Sequence, residues 1–309
     1  MKSLILKAGA SLAALPLFFL SPVLAQETST DETAPVTAAA PSGPALWKVS
    51  DEDTAIYLFG TVHILPKEVE WLDETISDAL AQSDMIVTEL PMDPGSETEL
   101  AQLSMKMSML PDGTTLRSLL SQDQIEVLEG ALGKLGIPPA AFAQFDSYKP
   151  WSAGLTFSVL PLIQQGYSPD SGVEKVLLAE AGDKERGALE TPEFQLGIFD
   201  NLPLESQIAF LMDAAGGIDD LKSTLDRMIA EWLKGDAESL AGLMNEGMDD
   251  PVLTEALLHS RNANWAAWVE QRLETPGTVF VAVGAGHLAG EKSVQQLLAD
   301  KGIETERVK

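Results

Sequence analysis

Two apolar segments of this chain end in the same short pattern of glycine, two residues and histidine. The first is Tyr57–His63, and the second, far downstream, is Phe280–His287. Each is typical of a buried strand that stops at a glycine, where the backbone can turn sharply or approach a ligand closely. The chain has three histidines, and two of them stand in this pattern. The pair predicts one site, built from the turns at Gly60 and Gly284, with Gly286 directly before the second histidine.

Further apolar runs predict a mostly parallel sheet. The strand Ala55–Gly60, a helix over Pro66–Ser83 and the strand Met85–Leu90 follow one another closely, which indicates a βαβ unit with parallel strands. Thr278–Val283 is the most strand-like run of the chain. Three shorter runs also predict strands. Trp47–Val49 would pair beside the first strand, Arg186–Glu190 would lie among the helices, and Glu304–Val308 would close the edge of the sheet.

The region between about residues 96 and 250 has the pattern of helices. Its apolar residues recur at helical spacing, and serine and glycine stand at predicted helix ends. The sequence therefore predicts an α/β (α+β) fold with a central, mostly parallel sheet and flanking helices. A large helical insertion separates the two Gly-x-x-His strands. We expect a single domain over residues 46–309.

The first 45 residues predict export. Lys2 and Lys7 precede an apolar run over Ala8–Leu20, and the segment Ser21–Ala25 after it ends in a small residue. This order is typical of a cleaved secretory signal peptide. An uncleaved membrane anchor is the alternative, because the stretch is near the minimum length for a span. Residues 26–45 are rich in Thr, Ala, Pro and Ser and predict a disordered linker. We expect cleavage near Ala25 and a periplasmic or secreted protein without a stable membrane anchor.

The charge of the chain restricts its partners. The formal net charge of −27 at pH 7 comes from 47 acidic and 20 basic residues. Such a charge repels nucleic acid and anionic membrane surfaces, so neither is expected as a partner. The chain has no cysteine, which excludes both a disulfide framework and a lipoprotein anchor.

Four predicted strands end on a side chain that can bind a metal or transfer a proton. These residues are His63, Glu89, Glu190 and His287. In an open parallel sheet, ligands bind in the crevice outside the carboxyl ends of the strands, so neighbouring strands would bring the four together. Two imidazoles and two carboxylates suit Mn, Co, Zn or Fe better than Ca or Mg. A bound metal would polarise a carbonyl and activate water, with one glutamate free to act as general base.

Several of these residues also have a purely structural interpretation. Glu89 and Glu190 could each be a solvated strand end. His259 lacks the strand and glycine context and is more typical of a surface or packing residue. Arg261 and Trp265 lie one helical turn apart, which indicates either a core seam or an arginine placed over the crevice to bind an oxyanion.

Six ordered phrases of the chain are shared with one known family. They are Tyr57–His63, Lys149–Trp151, Gly166–Pro169, Leu189–Thr191, Arg261–Asn262 with Trp265, and Val283–Gly290. At these residues the chain resembles the TraB/PrgY/GumN family, and the GumN branch most closely. The resemblance covers nearly the whole region from Leu46 to the C-terminus, and its specificity comes from the number and order of the phrases.

The resemblance implies a relation to the Tiki metalloproteases, which share paired Gly-x-x-His motifs and are thought to depend on a divalent ion such as Mn or Co. It also implies a more distant relation to erythromycin esterase and haem-binding ChaN-like proteins, a clan with an α/β fold and a helical insertion. The implied site residues are His63, Glu89, Glu190, Arg261, Asn262 and His287. GumN-like sequences often carry Asp where this chain has Glu174, so the role of Glu174 stays open.

We expect an exported, metal-dependent hydrolase of the metallopeptidase type, acting on a peptide or protein substrate. The predicted ligands of its divalent metal (Mn, Co or Zn) are His63 and His287 with at least one of Glu89 and Glu190. The glutamate that does not bind metal moves the proton, and Arg261, with Asn262, stabilises the developing oxyanion. Two alternatives are a non-catalytic protein that sequesters a peptide and a protein that binds haem or iron through one of the histidines. Ester hydrolysis is a further alternative, by distant analogy alone.

Overall fold

The computed structural model describes residues 43–245 and 250–309. The predicted signal peptide, residues 1–25, and the predicted linker up to residue 42 lie outside the described residues. Within the described ranges, no helix combines the length and the apolar character that crossing a membrane requires.

A six-stranded sheet forms the centre of the fold. The strands in the described ranges are β1 (Leu46–Ser50), β2 (Thr54–Thr61), β3 (Leu65–Pro66), β4 (Met85–Thr88), β5 (Tyr167–Ser168), β6 (Glu185–Ala188), β7 (Gly277–Gly284) and β8 (Glu306–Arg307). Six of them form the sheet in the spatial order β6, β4, β7, β2, β1, β8, while β3 pairs with β5. Strands β6, β4, β7 and β2 run parallel to one another, whereas β1 is antiparallel to β2 and β8. The predicted α/β fold with a mostly parallel sheet is confirmed.

Strand β7 lies inside the parallel part of the sheet and is covered on both faces. Phe280 and Ala282 pack into one apolar cluster, and Val279, Val281 and Val283 pack into another on the opposite face. All five residues are at most 2% exposed. A strand buried on both faces is a continuous apolar run, which explains why this segment is the most strand-like of the chain.

The predicted βαβ unit is confirmed in its strand direction and corrected in its helix. Strands β2 and β4 are parallel, with β7 between them. The helix begins at Glu74 and not at Pro66, because Asp73 caps it by accepting a 3.1 Å hydrogen bond from the backbone N of Ile76. Pro66, the predicted first residue of the helix, instead ends β3, which pairs with β5.

Helices cover both faces of the sheet and form most of the region between β4 and β7. They are α1 (Glu74–Gln82), α2 (Pro94–Ser108), α3 (Gln122–Lys134), α4 (Phe142–Phe145), α5 (Pro150–Gln164), α6 (Val173–Glu180), α7 (Pro192–Asp200), α8 (Leu204–Gly216), α9 (Ile218–Lys234), α10 (Ala237–Asn245), α11 (Pro251–Thr254), α12 (Ser260–Arg272) and α13 (Val294–Asp300). A π-helical turn, Glu255–His259, joins α11 to α12. The helical region has an apolar core of its own, which includes Trp151, Phe157, Phe199 and Phe210.

Candidate functional site

The four residues predicted at strand ends lie at one edge of the sheet. Strands β6, β4, β7 and β2 are successive neighbours, and their registers bring their carboxyl ends level. The side chains that follow these ends are buried, with exposures of 3% for Glu89, 0% for His287, 6% for His63 and 5% for the Glu190 side chain. The convergence predicted from the sequence is therefore present.

The turns of the two Gly-x-x-His motifs touch each other. A Cβ atom added to Gly60 would lie 3.0 Å from the Cα of Ala285, which leaves little room for a side chain. The carbonyl oxygen of Gly60 accepts a 2.8 Å hydrogen bond from Nε1 of Trp232, on α9. Gly286 is buried in the 3₁₀ turn Ala285–Leu288, which carries the second histidine. The glycines thus allow two distant strands to place their histidines in one site.

The guanidinium of Arg261 lies at the centre of the site. Its Nε donates to Glu190 Oε1 at 2.8 Å, and its Nη2 donates to Glu190 Oε2 at 2.9 Å and to Glu89 Oε2 at 2.5 Å. Its Nη1 donates to the carbonyl of Leu257 at 3.1 Å and to Nε2 of His287 at 3.0 Å. These five bonds use all five N–H donors of the guanidinium. Burial alone would lower the pKa of Arg261, but the two carboxylates hold it above its usual range.

A π-helical turn sets the approach of this arginine. The backbone N of Ser260 donates to the carbonyl of Glu255, five residues earlier, as a π-helical bond does. Within this turn, the carbonyl of Leu257 accepts the hydrogen bond from the Arg261 side chain. The arginine is therefore anchored at its own helix as well as at the sheet edge.

Glu89 is an ionised carboxylate. Its Oε1 accepts a 2.7 Å hydrogen bond from the backbone N of Gly284, and its Oε2 accepts one of 3.0 Å from Nε2 of Gln195. Burial alone would raise the pKa of Glu89, but the Arg261 charge, with smaller contributions from both histidines and the Gly284 amide, lowers it to about 2. A carboxylate with so low a pKa is a poor proton acceptor near neutral pH.

Gln195 and Trp265 complete the environment of Glu190. Nε2 of Gln195, on α7, donates to Glu190 Oε2 at 2.9 Å as well as to Glu89, so one amide bridges the two carboxylates. Nε1 of Trp265 donates to Glu190 Oε1 at 2.9 Å. The Trp265 ring also lies 4.8 Å from Cζ of Arg261. The predicted Arg261 and Trp265 face is thus part of the site and not a separate core seam.

His287 is held at both ring nitrogens. Its Nδ1 lies 2.5 Å from Oδ1 of Asn262, and its Nε2 accepts the hydrogen bond from Arg261. Nδ2 of Asn262 donates to the carbonyl of Lys292 at 2.8 Å. The pKa of His287 lies well below its usual range, because burial and then the Arg261 charge disfavour the imidazolium. His287 is therefore neutral at physiological pH.

His63 is held at one ring nitrogen only. Its Nδ1 contacts the carboxylate of Glu174, in the first turn of α6, and the same carboxylate oxygen accepts a 2.5 Å hydrogen bond from Oγ1 of Thr61. Its Nε2 is buried and has no hydrogen-bond partner among the residues that the structure describes. Burial alone would lower the pKa of His63, but the charge and hydrogen bond of Glu174 raise it above the usual value.

Sequence reasoning missed two site residues and left a third open. Glu174 carried a sequence signal, because it stands two residues after Gly172. In the structure, a Cβ on Gly172 would overlap the carbonyl oxygen of His63. Gln195 lies in no motif with evident chemistry, and Thr61 lies inside the first Gly-x-x-His motif but at one of its two unspecified positions. His259 lies apart from the site, where its Nδ1 is 3.2 Å from a carboxylate oxygen of Glu255.

The side chains as placed do not form the predicted metal shell. In residues 43–245 and 250–309, no group of three or more His, Cys, Asp or Glu side chains is arranged to hold a metal ion. Nε2 of His287 lies 4.0 Å from Glu89 Oε1, and its lone pair accepts a hydrogen from Arg261. Both carboxylates are engaged with the same guanidinium. Of the predicted nitrogen ligands, His63 Nε2 is the one without a protein partner in these ranges. Metal dependence stays a prediction.

These features define an α/β protein with a buried cluster of histidine, carboxylate and arginine at the carboxyl ends of its parallel strands. The chain belongs to the TraB/PrgY/gumN family, whose sequence profile matches residues 45–307. It is 25% identical over 245 residues to the uncharacterized protein YbaP of Escherichia coli, covering 78% of this chain and 87% of that protein. It is 23% identical over 278 residues to an uncharacterized protein of Treponema pallidum, covering 83% of this chain and 80% of that protein. No solved structure matches the chain.

Proposed function

We propose that this protein is a hydrolase in which His63 takes the proton from the attacking water. The observation that carries this proposal is the asymmetry of the His63 ring. Glu174 fixes its Nδ1, while its Nε2 is buried without a protein partner among the described residues. An imidazole oriented by a carboxylate through one nitrogen, with an unpaired lone pair on the other, is the arrangement of a general base.

In this proposal His63 carries the proton through both halves of the reaction. Nε2 accepts a proton from water as the water oxygen bonds to the substrate carbonyl carbon and the C=O π pair moves onto the carbonyl oxygen, from which it re-forms the C=O bond when the leaving nitrogen departs. The resulting imidazolium is stabilised by the Glu174 carboxylate. It returns the proton to the leaving nitrogen as the C–N bond breaks, which regenerates neutral His63. Because a leaving nitrogen must take up a proton, these steps suit a peptide or other amide as substrate, in agreement with the peptidase function that the Tiki resemblance implies.

Arg261, Glu89 and Asn262 have a positioning role in this proposal. All five N–H donors of Arg261 are paired with protein atoms, so none is directed at a substrate oxygen. Both polar groups of the Asn262 side chain are also engaged. Together these residues hold the strand ends in register, so that the base is presented at a fixed place.

Peptide cleavage by the purified full-length protein tests the proposal. A peptide library is incubated with chelator-treated protein, with and without added Mn, Co or Zn. Cleavage should fall by about 100-fold or more in His63→Gln and stay unchanged in His259→Gln, which alters a histidine outside the site. Absence of cleavage by the unmodified protein in every arm would overturn the proposal. Peptide capture without turnover would then support a sequestering protein, and a Soret band on addition of haem would support a haem-binding one.

We also propose that the protein is exported. The support is the sequence pattern of Lys2, Lys7, the apolar run and the small residue at Ala25. N-terminal sequencing of the protein recovered from the periplasm or medium should begin at Gln26. Recovery of the intact chain from the cytoplasm alone would contradict the proposal.

A further inference from the structure

We infer that Arg261 takes the place of the expected divalent ion, and that His287 is a neutral positioning residue for it. The two Gly-x-x-His histidines then have different roles, although their sequence motifs are alike. This arrangement of the resting site does not depend on whether the protein hydrolyses a substrate.

The hydrogen bonds of His287 fix its tautomer. Asn262 uses its Nδ2 to donate to the Lys292 carbonyl, which orients its Oδ1 toward the histidine. An amide oxygen only accepts, so His287 must carry its proton on Nδ1. A guanidinium only donates, so Nε2 must supply the lone pair to Arg261 Nη1 at 3.0 Å. Neither nitrogen of this ring has a lone pair left for a metal.

Arg261 already supplies a positive charge at the centre of the site. The guanidinium contacts Glu190 through two bonds and Glu89 through one, at 2.5 to 2.9 Å. A divalent ion among the same carboxylates would lie beside a fixed positive charge in a buried site, where repulsion is weakly screened. It would also have to take His287 and Glu89 away from Arg261.

The surrounding backbone and side chains hold the guanidinium without help from a ligand. The π-helical turn provides the Leu257 carbonyl for Nη1, and the centroid of the Trp265 ring lies 4.8 Å from Cζ of Arg261. Gln195 bridges the two carboxylates, and Gly284 N occupies the other oxygen of Glu89. Each polar atom around Arg261 is therefore satisfied internally, as a stable buried ion network requires.

Nitrogen NMR of the ¹⁵N-histidine-labelled, full-length protein tests the tautomer directly. The chain has three histidines, so three pairs of ring nitrogens are expected, and His259→Gln and His63→Gln assign them. The His287 ring should show a protonated Nδ1 and a bare Nε2, both unchanged by one equivalent of Zn²⁺. A protonated Nε2 at His287, or a shift of that nitrogen on binding Zn²⁺, would overturn the inference.

A variant without the guanidinium tests whether Arg261 occupies the place of a divalent ion. Arg261→Met should expose His287 Nε2 and both carboxylates, so Zn²⁺ affinity measured by calorimetry should rise about tenfold or more over the unmodified protein. Arg227→Met, which removes an exposed arginine on α9, should leave the affinity unchanged. Unchanged or weaker Zn²⁺ binding by folded Arg261→Met would contradict the inference. If that variant does not fold, the NMR measurement on the unmodified protein decides the question.

Discussion

Glu89 and Arg261 lie 172 residues apart in the chain, yet Nη2 of the arginine donates a 2.5 Å hydrogen bond to Oε2 of the glutamate. Both side chains are almost fully buried, at 4% and 2% exposure. The bond joins the end of β4 to the helix that precedes β7. Because a buried charge that loses its partner is strongly unfavourable, this pair couples the stability of the fold to the integrity of the site.

The unfolding free energy of the protein should fall in acid because of Glu89. The pKa of Glu89 is about 2 in the folded protein, against an ordinary value of 4.5. A lowered carboxyl pKa adds stability that is complete above 4.5 and is lost as the pH falls toward 2. The loss from this group should be on the order of 3 kcal/mol. Urea unfolding between pH 2 and 7 measures it.

The matching control for this prediction is a pair of variants. In Glu89→Gln the part of the pH dependence that comes from Glu89 should disappear. In Glu99→Gln, at an exposed position on α2, the unfolding free energy should keep the same pH profile as the unmodified protein. Equal profiles for all three proteins would contradict the role given to Glu89.

Loss of the central cation should destabilise the fold. Arg261→Met leaves Glu89 and Glu190 buried without their counter-ion, which should cost about 3–5 kcal/mol of unfolding free energy. Arg227→Met, at an exposed position, should change it by less than about 0.5 kcal/mol. Chemical denaturation at pH 7 compares the two. If Arg261→Met lowered the unfolding free energy as little as Arg227→Met, the guanidinium network would make no net contribution to the stability of the fold.

Glu174 should control the titration of His63. Its charge and hydrogen bond raise the pKa of that histidine, so Glu174→Gln should lower the midpoint measured by NMR. If His63 acts as general base, activity rises with pH through its pKa, and the rising limb should move to lower pH in the variant. Glu180→Gln, at an exposed position on the same helix, should change neither the titration midpoint of His63 nor the pH profile of activity. A midpoint unchanged in Glu174→Gln would exclude the pairing.

Two glycines should respond in opposite directions to the same substitution. In Gly172→Ala the new Cβ would overlap the carbonyl oxygen of His63 and lie 2.9 Å from that of Pro169, so the variant should be less stable and less active. In Gly130→Ala, inside α3, the Cβ would meet nothing within 4 Å, and stability should rise by about 0.5–1 kcal/mol. Thermal unfolding compares the two, and a stabilised Gly172→Ala would show that the backbone around His63 is not tightly packed.

Much of the frame of the site was predictable from local patterns. The apolar run of β7 and the residues that follow the four parallel strands can be read directly from the chain, because strand burial and strand ends are local properties. The convergence of His63, Glu89, Glu190 and His287 is expected once their parallel strands are neighbours, because the carboxyl ends then meet at one edge of the sheet. The start of α1 differs from the prediction, because Asp73 caps the helix and Pro66 belongs to β3.

The sequence by itself determined that two histidines and two carboxylates stand at the ends of strand-like runs, because residue type and strand periodicity are local properties. Only the tertiary structure decided that these strands are neighbours and which side-chain atoms are engaged. The donors of Arg261, the amide of Gln195 and the carboxylate of Glu174 come from helices distant in the chain. Hydrogen-bond direction and burial depend on those contacts, so they make His287 a neutral acceptor and leave Nε2 of His63 without a protein partner in the described residues.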